Sequence, residues 1–418
     1  MHCKDAAATG SSGCGSSRLL GKPLGVKGIA NTGVLRWGGK LLALYERDLP
    51  YELDEQLRTL GQTDLGGSIK SACRQWGAHY RVETRADGAQ RLIGFNATET
   101  PQGNRVNFWE YDETFKCLHS TPYLLENGQF GFVHDLVVTP NYYIVLEAPI
   151  DMNFKKLLFR YSRGKACLAE CLQYSAHKPV KIHLVPRPGT GPSIGQKVVT
   201  TQPFFSFQHV NAFEIEEGRR LVIDTVGSQG IDFSANLESG MDCWSTPEGK
   251  GIVRRLIVTI SSGEVSQEPV LPYRACELPV INPTYTGRPY RHAYLVGSRV
   301  TGFESWSPLQ GLVKLTRPDS LFGDQAAQEE VWLPGLESYA QEPIFVPRPG
   351  STAEDDGWIL TVVYNAATHQ SQLVILDARH VSDGPVASLN LLHHIPFGIH
   401  GSFTEDLLIG PARAPGRT

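Results

Sequence analysis

The stretch Val34-Leu35-Arg36-Trp37-Gly38-Gly39-Lys40-Leu41-Leu42-Ala43-Leu44-Tyr45 sets the fold class. Two short apolar runs flank a Gly-Gly pair. A two-residue hairpin turn needs positive φ at its central positions, which glycine adopts without a Cβ clash, so the stretch reads as strand, turn, strand. Similar units recur: Arg91 to Phe95, Val133 to Val138 with Tyr142 to Leu146 around Pro140-Asn141, and Arg220 to Asp224. Gly251 to Ile260, Tyr290 to Val296, Leu309 to Leu315, Trp358 to Tyr364 and Gln372 to Leu376 continue the series. Each run has turn-forming residues on both sides. No capped segment sustains a long 3.6-residue period; Gln208 to Glu217 fits a short helix, and its Val and Ile content fits a strand as well.

Composition agrees. The 418 residues include 42 Gly and 27 Pro against 3 Met, a mix that favours many short strands and turns. Lys and Arg number 39 and Asp and Glu 43, a net charge of −4, without the basic excess of a nucleic-acid binder. No apolar run reaches the ~18 residues of a spanning helix. The eight cysteines (Cys3, Cys14, Cys73, Cys117, Cys167, Cys171, Cys243 and Cys276) form no CxxC pair. With no secretory signal ahead of them, they read as reduced intracellular thiols rather than a zinc site or a disulfide framework. Residues 1–28 are Gly/Ser-rich and read as a disordered tail; they are also Ser-rich and almost free of acids, a weak likeness to organelle transit peptides. The remainder, 29–410, is expected to form one β-propeller; at roughly 40–50 residues per four-stranded blade it holds about seven to nine blades.

Thirteen histidines are a mild excess. Four sit in apolar, aromatic or glycine-rich company: His79 in Trp76-Gly77-Ala78-His79-Tyr80, His134 in Gly131-Phe132-Val133-His134-Asp135, His209 in Phe207-Gln208-His209-Val210-Asn211-Ala212-Phe213-Glu214, and His400 in Phe397-Gly398-Ile399-His400-Gly401. Any one alone fits a satisfied core histidine. Together they form a candidate imidazole set suited to Fe, Zn or Cu. Their wide spacing matches no local metal motif and suits ligands sent inward from different blades to a propeller axis. His177 lies in Ser175-Ala176-His177-Lys178-Pro179.

The chain resembles the carotenoid cleavage oxygenase family, which includes the retinoid isomerohydrolase of the eye. The likeness rests on Leu44-Tyr45-Glu46-Arg47-Asp48-Leu49-Pro50-Tyr51-Glu52-Leu53, Phe132-Val133-His134-Asp135 with Thr139-Pro140-Asn141-Tyr142, His209 to Glu214, and Phe397 to Gly401. Cys276-Glu277-Leu278-Pro279 and Gln341-Glu342-Pro343-Ile344 extend it from about Leu20 to Ser402. The resemblance implies an all-β, seven-bladed β-propeller with an axial four-histidine iron site. It assigns His79, His134, His209 and His400 as ligands of Fe(2+), and Glu46, Glu277 and Glu342 as carboxylates behind them. A carboxylate accepting a ligand's far N–H fixes its tautomer and raises its basicity. Which Glu serves which His is left open by the sequence. Following Glu46 puts His79 in the family order; His177 comes after His134, though Tyr80 stands where the family has proline. Material that precedes the first motif in the family is expected to be missing. After His400-Gly401 the chain also departs from the family's aromatic-Val-Pro pattern.

The family's chemistry is oxidative cleavage by O2 of a C=C bond in a carotenoid or apocarotenoid, giving two carbonyl products. Phe132 and Phe207 are candidates for an aromatic substrate tunnel. Leu157, Leu158 and Phe159, among Lys155, Lys156 and Arg160, are candidates for a membrane-surface patch, and a helix packed on the propeller is the alternative. Peripheral membrane contact, no nucleic acid and no obligate protein partner follow. The substrate class suggests a plastid. The alternatives are an isomerase on the same scaffold and a non-catalytic carotenoid-binding or inactive relative.

Overall fold

The computed structural model describes residues 28–70, 74–100, 103–125, 131–191, 194–233, 249–301, 309–318, 326–396 and 398–405. The expected tail lies outside them except for Gly28. The first hairpin forms as read: Gly33–Trp37 pairs with Lys40–Leu44, and Gly38 and Gly39 take φ of 52° and 78° in the turn between them.

Six antiparallel sheets follow in chain order, each a propeller blade. Blade 1 is Gly33–Trp37, Lys40–Leu44, Tyr51–Leu53 and Thr59–Gln62; blade 2 is Tyr80–Thr84, Gln90–Thr100, Gly103–Tyr111 and Cys117–Leu124. Blade 3 is Leu136–Val138, Tyr142–Glu147, Val180–Pro186 and Lys197–Thr201; blade 4 is His209–Ile215, Arg220–Gly227, Ile252–Thr259 and Val265–Leu271. Blade 5 is Cys276–Val280, His292–Gly297, Gly311–Thr316 and Gln328–Trp332. Blade 6 has five strands, Ser338–Ala340, Ile344–Pro347, Gly357–Asn365, Gln370–Asp377 and Pro385–Asn390. The all-β propeller therefore stands, with six blades among the described residues and not the expected seven. The length arithmetic overcounted because these blades are long. Blade 4 runs from His209 to Leu271, and blade 3 carries an insertion, 150–174, between its second and third strands. Gln208 to Glu217 is the first strand of blade 4 and the turn after it, not a helix.

Burial explains the near-continuous apolar runs. Tyr142–Glu147 is buried along its whole length, and Arg220–Gly227 at every position after the first. A strand in a middle blade packs on a neighbouring blade from both faces, so period-two alternation is lost. In blade 6, Gly357–Asn365 does alternate. Apolar clusters join successive blades, among them Leu44, Trp76 and Tyr111 between blades 1 and 2, and Phe108 stacked on Tyr143 at 4.6 Å between blades 2 and 3. Burying each such side chain contributes roughly 1.5–3 kcal/mol. The first strands of blades 2 to 5 pack on one another around the axis. A strap, 391–396 and 398–405, returns from blade 6 to blade 1, where the His400 N–H donates to the Thr32 carbonyl at 3.1 Å.

Candidate metal centre

The starts of the innermost strands share one end of the propeller, and the candidate residues sit there. His79 directly precedes the first strand of blade 2, His134 lies two residues before that of blade 3, and His209 opens that of blade 4. Glu277 is in the first strand of blade 5, Glu342 lies between the first two strands of blade 6, Glu46 follows the second strand of blade 1, and His400 is on the strap. Local sequence explains the tight entry to His79. The Gly77 N–H donates to the Phe95 carbonyl at 2.7 Å, and a Cβ on residue 77 would lie 2.5 Å from that oxygen. Only glycine tolerates this approach.

The ring nitrogens are arranged in two tiers. His79 Nε2 and His134 Nε2 lie 3.0 Å apart, and the His79 ring is 4.6 Å from both the His134 and His400 rings. Behind them, His134 Nδ1 donates to Glu46 Oε1 at 2.9 Å, and His400 Nδ1 to Glu342 Oε1 at 2.7 Å. The other Glu342 oxygen accepts the Gly401 N–H at 2.7 Å. His209 Nδ1 faces the Thr225 hydroxyl at 2.8 Å. Asp135 ties the set together: it accepts the His209 backbone N–H at 2.9 Å and Arg81 Nη2 at 2.8 Å, and lies 3.8 Å from His79 Nδ1. Glu277 differs from the other two glutamates. Its carboxyl accepts the Leu278 N–H at 3.2 Å and is close enough to His134 for their charges to interact, without a hydrogen bond to any histidine among the described residues.

Burial favours the neutral form of two of the histidines. Burial pushes His79 well below the ordinary imidazole value and His209 down to about 4. Burial acts the same way on His134 and is outweighed by Glu46, so His134 is raised. Asp135 is held far below the carboxylate range, its burial outweighed first by Arg81. Burial pushes Glu277 up to about 8.

Part of the set fits a metal ion, and His209 and His400 stand outside that group. Glu46, His79 and His134 each offer a ligand atom within 4.8 Å of the others. Two imidazole nitrogens about 2.1 Å from one ion and at right angles are ~3.0 Å apart, which is the His79–His134 spacing. Far-side acceptors on His134 and His400 leave their Nε2 lone pairs free for the ion. His177 stands exposed in a turn. His183 is a satisfied core residue between the Tyr123 hydroxyl at 2.8 Å and Glu147 at 2.9 Å. Sequence reading missed Asp135, Arg81, Thr225 and Gln208. Asp135 and Gln208 carried a local signal, each as the neighbour of a candidate ligand.

Phe132 and Phe207 flank His134, with ring centroids 6.2 Å and 5.0 Å away, and join Phe205 and Phe233 in one aromatic cluster. A cavity of about 100 Å³ meets His134 and Phe132 and is also lined by Met152, Leu168 and Leu172 of the blade 3 insertion. That insertion carries helix α1, Phe154–Phe159, which buries none of its residues. Phe154, Leu158 and Phe159 are 67%, 44% and 56% exposed, and Leu157 is half-buried. No helix among the described residues is long and apolar enough to cross a membrane.

Fold and site define an all-β propeller with a metal-capable histidine and glutamate centre near its axis. The family model described as "Retinal pigment epithelial membrane protein" matches residues 8–405. Apocarotenoid-15,15'-oxygenase of Synechocystis sp. is 33% identical over 91% of this chain and 74% of its own length. Isoeugenol monooxygenase of Pseudomonas putida is 28% identical over 89% of this chain and 74% of its own. The crystal structure of cobalt-substituted Synechocystis ACO superimposes with a TM-score of 0.80 at 31% identity, covering 92% of this chain and 76% of that one. The chain belongs to the carotenoid cleavage oxygenase family and is an enzyme of its dioxygenase class.

Proposed function

We propose that the protein cleaves one C=C bond of a carotenoid or apocarotenoid with O2, giving two carbonyl products, at an Fe(II) held by His79, His134, His209 and His400. The observation that carries this reading is the tethering of His134 and His400 by Glu46 and Glu342, which leaves Nε2 of each ring for a metal. Bound iron supplies the site at which O2 is activated. The chain's own residues do the rest. Glu46 and Glu342 hold ring orientation and tautomer. Arg81 and Asp135 lock the backbone of His209 beside His79. Phe132, Phe207 and their aromatic neighbours exclude water and hold an apolar polyene beside the metal, where orientation sets which bond reacts. The exposed Phe154, Leu158 and Phe159, with Lys155 and Arg160 beside them, suit contact with a lipid surface, and the cavity lined by the same insertion suits transfer of an apolar substrate inward.

The test is chromatography with mass spectrometry on iron-loaded protein given β-carotene and a series of apocarotenals under 18O2. Labelled aldehyde products support the reading. Isomers without label would point to an isomerase, and iron-loaded protein that leaves every substrate unchanged would sink the enzymatic reading.

A further inference from the structure

Gln208 is absent from the expected ligand set, yet its side chain reaches the centre. It is buried, and its Nε2 lies 3.2 Å from His400 Nε2, the ring nitrogen that Glu342 does not hold. Its backbone is pinned. The carbonyl accepts the Val226 N–H at 3.0 Å and the Thr225 hydroxyl at 3.2 Å, so the segment between Phe207 and His209 cannot swing away at low cost. The bond pattern also decides which end of the amide faces the ring. Glu342 can only accept, so His400 carries its proton on Nδ1. His400 Nε2 is therefore a lone pair, and the group opposite it is the amide N–H.

A metal bound to His400 takes that lone pair. At about 2.1 Å from that nitrogen the metal needs the space the Gln208 amide nitrogen fills, so the amide turns aside and its buried N–H needs another acceptor, since an unmade hydrogen bond there costs free energy. The nearest replacement is a small ligand bound to the same metal next to His400. We infer that Gln208 is a ligand-positioning residue of the centre, its amide N–H hydrogen-bonding a small anionic or oxygen ligand at the coordination position beside His400. This rests on the metal-centre reading above and goes beyond the four histidines and their carboxylates.

The experiment uses the full chain loaded with Co(II) and titrated with azide, followed by the cobalt visible absorption. Gln208→Met keeps side-chain length and removes the donor; Gln208→Glu keeps shape and replaces the donor with an acceptor. Both variants should retain cobalt. Azide affinity should fall about tenfold in Gln208→Met, the value of one hydrogen bond, and further in Gln208→Glu through charge repulsion. Superimposable azide titrations in wild type and Gln208→Met would overturn the inference. So would cobalt loss from both variants, which would make the amide a metal-retaining group, or a wild type that takes cobalt but no azide. A wild type that takes up no cobalt sinks the metal-centre reading along with this one.

Discussion

Replacing Glu342 and Glu277 one at a time separates a carboxylate that orients a ligand from one that does not. Glu342 accepts two N–H groups at 2.7 Å, from His400 Nδ1 and the Gly401 backbone. In Glu342→Gln the amide accepts one of them and turns its own NH2 toward the other, leaving donor against donor. The loss of one charged hydrogen bond and of the ring's tautomer control should weaken metal binding by about 10–100-fold, or roughly 1.4–2.8 kcal/mol. Glu277 hydrogen-bonds to no histidine among the described residues, and burial raises it to about 8, so near neutral pH it is protonated and Gln is a close mimic. Glu277→Gln should bind metal within about threefold of wild type, less than one hydrogen bond is worth. Competition between protein and a chromogenic chelator for Co(II) or Fe(II) at pH 7 measures both. Equal losses in the two variants, or a larger loss in Glu277→Gln, would refute the assignment of roles.

The other predictions follow from the same geometry. His79→Ala should lose the metal, whereas His177→Ala should keep a full complement, since His177 is exposed in a turn away from the centre; metal analysis of the purified variants checks this. The double change Leu158→Ser with Phe159→Ser should cut co-sedimentation with anionic liposomes while leaving the melting temperature unchanged, because α1 buries none of its residues; undiminished sedimentation counts against the patch. In metal-free protein Glu277 keeps, up to about pH 8, a proton that the unfolded chain releases near 4.5. Its contribution therefore falls as pH rises across that window, by at most about 1.4 kcal/mol per pH unit. Melting temperature against pH should fall less steeply in metal-free Glu277→Gln; parallel curves would contradict the burial argument.

The candidate set could be drawn from the sequence because its motifs are local. The Glu46, His134, His209, Glu277, Glu342 and His400 stretches are short and keep their order, and the first hairpin announced its turn through Gly38-Gly39. Less was legible where contacts are distant in sequence. Blade number was overcounted because a length divided by an average cannot detect the 150–174 insertion, the long strands of blade 2 or the long connection from Gly227 to Ile252 in blade 4. Thr225 stands on the second strand of blade 4 and reaches His209 only after the hairpin closes. Asp135 is adjacent to His134, yet its partners Arg81 and His209 come from blades 2 and 4.

By itself the sequence determined the all-β class, through glycine-rich turns between apolar runs, and a candidate set of imidazoles and carboxylates, through residue type and order. Tertiary structure decided the pairing. It put Glu46 behind His134 and Glu342 behind His400, left Glu277 hydrogen-bonded to no histidine among the described residues, and turned Gln208 inward. The physical reason is that ring orientation and carboxylate reach depend on where the first strands of blades 2 to 5, the loops of blades 1 and 6 and the strap meet around one axis. That geometry exists only once the blades have packed.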